Sequence, residues 1–89
     1  MNNTRRKQIK DILDRVSTLL GDLDVIRSDL EIVLDDEQSA LDNLPESLQE
    51  SEKGECMQEC IDQLEEAYST VDEAFNNLES MSTDLENIL

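Results

Sequence analysis

Histidine and tryptophan are absent, Tyr68 and Phe75 are the only aromatic residues, and the chain holds two glycines, two cysteines and a single proline. Without an imidazole the commonest general base and metal ligand is missing, and no serine or cysteine has a histidine to activate it. A Glu-x-x-His di-iron motif is excluded on the same ground. Gly21 and Gly54 stand too far apart to build a phosphate-cradling loop. Asp22-Leu-Asp24 opens like a calcium-binding loop, but the later ligands and the central glycine do not follow. These omissions point to a protein that is not an enzyme and takes no cofactor. No apolar run approaches the roughly 18 residues of a membrane span, and no hydrophobic segment follows the basic start as in a signal peptide. A soluble, intracellular chain is expected.

Cys56 and Cys60 lie four apart, a spacing that puts them on one helix face with Cβ directions unsuited to an unstrained disulfide. A tetrahedral zinc site would need carboxylates or a second subunit to complete it. Both are read as ordinary helical cysteines, with Cys60 in the core.

What the chain does contain is aliphatic and acidic. Hydrophobic residues make up 37% of its 89 positions, and the aliphatic share suits helical seams better than a sheet. From Ile9 onward the apolar residues recur at alternating steps of three and four. With Ile9 as heptad position a, row a is Ile9, Val16, Leu23, Leu30, Glu37 and Leu44; row d is Ile12, Leu19, Ile26, Val33 and Ala40; row e is Leu13, Leu20, Leu34 and Leu41, with Arg27 the exception. The phase holds across Gly21 at position f, which favours one unbroken helix over a break capped by Asp22.

A second helix repeats the scheme from Met57: Leu64, Val71, Leu78 and Leu85 continue row a, Cys60, Ala67, Ala74, Met81 and Ile88 form row d, and Ile61, Tyr68, Phe75 and Leu89 occupy row e, with Ser82 polar.

Between the two patterns, Pro45 lacks an N–H and disfavours helix at Leu44, while Ser47 with Glu50, and Ser51 with the acidic residues after it, resemble helix starts. The expected architecture is all-α, a single helical hairpin of two long antiparallel helices over residues 4–43 and 52–88 with a hinge at 44–51. Rows a and d of opposite helices pair layer by layer in one register, Ile9 with Ile88, Val16 with Met81 and Leu23 with Ala74. Glu37 opposite Cys60 is the polar flaw. This register also sets the basic start beside Glu79, Asp84 and Glu86.

On that reading row e stays wet, so Leu13, Leu20, Leu34, Ile61, Tyr68 and Phe75 form a groove that a second hairpin would fill, making a dimeric four-helix bundle; a partner protein is the other candidate. Val25 and Ile32, outside the stripe at position c, are an additional candidate apolar contact.

The net charge is −16, and after Arg27 the only cation is Lys53. Such a surface opposes direct binding of nucleic acid or anionic membranes and favours a protein partner with a basic surface. The acidic face of the second helix, Glu59, Asp62, Glu65, Glu66, Asp72, Glu73 and Glu79, is the candidate partner-binding surface, beside a neutral flank of Gln63, Thr70 and Asn77. Its plainest role is to keep a sticky bundle soluble. Its sharper role is mimicry of nucleic acid: two hairpins carrying twice −16 over about 54 Å reach about one charge per 1.7 Å, near that of duplex DNA. Arg5, Arg6 and Lys7 read as a solubilising tail.

The segment from Asp36 to Gln49, followed by Ser51-Glu52-Lys53-Gly54-Glu55 and an acidic helix, resembles small uncharacterised helical-hairpin proteins of phages and mobile elements of Gram-positive bacteria. The resemblance covers about a third of the chain. It implies an accessory protein in the cytoplasm of a bacterial host, one that inhibits or modulates a defence or regulatory protein by occupying its nucleic-acid-binding surface. A structural coiled-coil adaptor acting through its apolar stripe is the alternative.

Overall fold

The computed structural model describes all 89 residues, and helix is its only regular secondary structure. Helix α1 spans Asn3–Asp42, α2 is a single turn at Glu46–Gln49, and α3 spans Glu52–Asn87. The long helices pack against each other as a hairpin, a rod of 68 × 14 × 14 Å. Asn2 caps α1 by accepting the Arg5 N–H at 2.9 Å. The helix runs through Gly21 without interruption.

The hinge is more structured than a loop. Pro45 stands at the N-cap of α2 with φ −56° and ψ 146°, directing the chain out of α1. Ser47 lies inside α2 and caps nothing, contrary to the sequence expectation. Ser51 is the N-cap of α3, but its hydroxyl donates back to the Leu48 carbonyl and leaves the first turn of α3 to the favourable charges of Glu52 and Glu55. The Gln49 amide ties the turn to the end of α1 by donating to the Leu44 carbonyl at 2.8 Å.

Gly54 explains how the chain turns so tightly. A Cβ built there would lie 2.0 Å from the Gln49 carbonyl oxygen and 2.7 Å from that of Leu48, so the backbone of α2 rests directly on α3. Only hydrogen leaves room for that approach. Gly21 has nothing within 4 Å of its virtual Cβ.

The buried seam differs from the expected one. Rows a and e, not a and d, close the hairpin: Val16 and Leu41 are buried and Ile61 is 1% exposed, while Ile9, Leu13, Leu20, Leu34, Tyr68 and Phe75 are half-buried. Row d of α1, Ile12, Leu19, Ile26 and Val33, lies 39% to 51% exposed. Cys60, Met81 and Ile88 are exposed as well, so the expected a/d layer pairs are replaced and Cys60 is not a core residue.

Side-chain size accounts for the choice. Rows d and e flank row a by about 50° on either side, so geometry alone does not prefer one. On α3, however, row e offers Ile61, Tyr68 and Phe75 where row d offers Cys60, Ala67 and Ala74. Turning row e inward removes more apolar surface from water.

Candidate interaction surfaces

Closing the hairpin on rows a and e divides its surface into two unlike faces. Antiparallel helices of one hand, each presenting the same two rows to the other, carry their remaining equivalent rows on the same side. Row d of both helices therefore lines one face, and row b of both lines the opposite one. Lys10, Ser17 and Glu86 of row b border a groove with Leu13, Leu20 and Ser82, and Gln38 and Gln58 of the same row border another at the hinge.

Arg27 organises the row b face. Sequence reading leaves it only as a polar exception in row e. In the structure its side chain is 21% exposed, and the guanidinium donates to Asp72 of α3 at 2.7 Å and to Asp24 of its own helix at 2.8 Å and lies 4.3 Å from the centroid of the Phe75 ring. The ring face attracts the cation, and the two carboxylates neutralise it. The hydrogen bonds to Asp24 and then to Asp72 hold the guanidinium's pKa above its ordinary value. A raised pKa supports folding fully below the unfolded-state value and loses that support only as pH climbs past the folded one, so this contribution is constant through the neutral range. A cation at an e position with a carboxylate and an aromatic residue one turn apart on the opposite helix of the hairpin was the available signal.

Asp72 is thus engaged within the fold and is not a free member of the acidic face. Glu59, Asp62, Glu65, Glu66, Glu73 and Glu79 remain exposed on the outward side of α3. The expected attraction between the basic start and the end of α3 produces no ion pair; the only other one is Arg15 with Asp11, four residues apart on α1 at 3.0 Å. Such an exposed pair contributes a few tenths of a kcal/mol at most, about 0.3–0.5.

The predicted groove of Leu13, Leu20, Leu34, Ile61, Tyr68 and Phe75 is the hairpin's own seam, and this corrects the sequence reading. The apolar surface left open is row d. Val25 and Ile32 are exposed, separated from row d by Asp22, Asp29 and Asp36 of row g. Cys56 and Cys60 are free, exposed thiols, and no three Cys, Asp or Glu side chains converge as metal ligands. No helix is long and apolar enough to cross a membrane. Compared with known proteins, the chain matches no protein-family model, no curated protein and no solved structure.

Proposed function

We propose that this protein is a non-enzymatic, acidic binding protein that works as a homodimeric four-helix bundle and occupies the basic, nucleic-acid-binding surface of a protein partner. The observation that carries the reading is the coexistence of an outward carboxylate surface with a straight 68 Å rod. Two hairpins side by side hold twice −16 over that length, about one charge per 2.1 Å. Duplex DNA carries about one per 1.7 Å, so a basic channel shaped for nucleic acid would find a similar charge ladder. The proposed setting is the cytoplasm of a bacterial host and the proposed target a defence or regulatory protein, as the resemblance read in the hinge sequence implies.

The test compares the full chain with a variant carrying Glu59→Lys, Asp62→Lys, Glu65→Lys, Glu66→Lys and Glu73→Lys, which spares Asp72 and its bond to Arg27. Immobilised wild-type protein is expected to retain a bacterial nucleic-acid-binding protein at 50 mM salt, to lose at least tenfold of it at 500 mM, and to release it to competing duplex DNA. The variant is expected to retain none. Capture that ignores salt and charge reversal but disappears on substitution within row d would support the apolar adaptor reading instead, a reading favoured by the exposure of Ile12, Leu19, Ile26 and Val33.

A further inference from the structure

The hairpin has more surface than its mass requires. Its accessible area is 6451 Å², whereas a compact folded monomer of this mass exposes about 5,300 Å². The excess of about 1,100 Å² per chain is the scale that each partner loses in a stable interface, about 800 Å² or more. Row d of both helices supplies a continuous apolar face along the rod.

Resting on the dimeric reading above, we infer that a second copy of the chain covers this face with the two hinges at the same end, α1 of each hairpin lying on α3 of the other. The register follows from the hairpin. Contacts such as Arg27 with Asp72 place α1 residues level with α3 residues whose numbers sum to about 98, and a partner related by a two-fold axis along the rod keeps those heights. Ile26 then enters the gap between the second copy's Ala67 and Ala74, and Leu19 and Val33 enter the gaps on either side. Ile26 and Val33 of α1 thus meet the small Cys60, Ala67 and Ala74 of α3, as interdigitation requires, while Leu19 lies between Ala74 and Met81.

The charges beside the face agree. Row g of α1 carries Asp22, Asp29 and Asp36, and at the same heights row g of α3 carries Asn77, Thr70 and Gln63. Arg15 falls beside Asp84. Opposed hinges would instead set α1 against α1 and bring Asp22 of each copy beside Asp29 of the other.

One effect opposes the matched arrangement. Residues 24–74, the hinge half, carry 17 carboxylates and two cations, whereas the remainder carries six and five. Matching the hinges places the two acidic halves side by side. Most of these carboxylates are on the outward rows b, c and f, farther from their counterparts on the second copy than the screening length of about 8 Å at physiological salt, so the face decides. The dimer thereby gains one strongly acidic pole, about one net charge per 1.1 Å over half the rod, where the basic partner would engage.

The experiment places a nitroxide at Ser47→Cys, on the exposed hinge turn, in a chain with Cys56→Ser and Cys60→Ala. Sedimentation at 0.1 mM is expected to return twice the chain mass, and pulsed dipolar spectroscopy a distance of about 20 Å, two helix diameters. A distance near the rod length of 68 Å overturns the matched arrangement, and the mass of a single chain overturns the dimer. Ile26→Glu, on the exposed face, is expected to yield monomers with unchanged helicity; dimers that survive it also overturn the proposal. Added salt is expected to tighten the dimer while weakening partner capture, so either can fail without the other.

Discussion

The two halves of the rod are built on opposite terms. The hinge half contains Ile61, Leu41 and Gly54, three of the four buried residues, and also nearly all of the uncompensated charge. The free half has Val16 alone in its core, exposes Met81, Ile88 and Leu89, and is close to electrically neutral. Repulsion is concentrated where the helices are covalently joined and tightly seated, and it is nearly absent where they are free to separate. An acidic hairpin is feasible because its strongest self-repulsion acts where separation is most restricted.

Substitutions in the two halves should reproduce that asymmetry. Gly54→Ala is expected to be the most damaging change, about 3 kcal/mol at the upper end of overpacking costs, because the obstacle is backbone rather than a side chain that can turn away. Urea denaturation followed by circular dichroism measures it, and a loss below 1 kcal/mol would mean that α2 does not rest on α3 as described. Ile61→Ala should cost less, about 2.5 kcal/mol, and Val16→Ala, in the free half, about 2. These comparisons belong at one protein concentration, since the proposed dimer would add to apparent stability. The smallest effect has the opposite sign: Gly21→Ala, with open space around it, should gain about 1 kcal/mol by removing a flexible residue from a helix interior.

Much of the architecture was legible in the residues. The apolar rhythm identifies the two long helices, and Pro45 marks the turn, because periodicity and proline act locally. The choice of seam was not legible from rhythm, since rows d and e flank row a symmetrically; comparing Ala67 and Ala74 with Tyr68 and Phe75 contains the answer, but only once both rows compete for one partner. Gly54 gave no local sign, for its role depends on a neighbouring turn passing within a hydrogen's reach. Arg27 was visible as an anomaly without a reason until Asp72 and Phe75 were found beside it. The acidic surface was apparent from composition, whereas the withdrawal of Asp72 from it was not.

The bond between Arg27 and Asp72 has a consequence for how the helices find their alignment. One heptad before and after Asp72 stand Glu65 and Glu79, so α3 could slide by seven residues in either direction and still offer the guanidinium a carboxylate. The aromatic contact is more discriminating: a slide replaces Phe75 with Tyr68 one way and with Ser82 the other. Electrostatics therefore tolerates mistaken alignments that the turn forbids, and a chain cut within α2 should lose its unique alignment before it loses its helices.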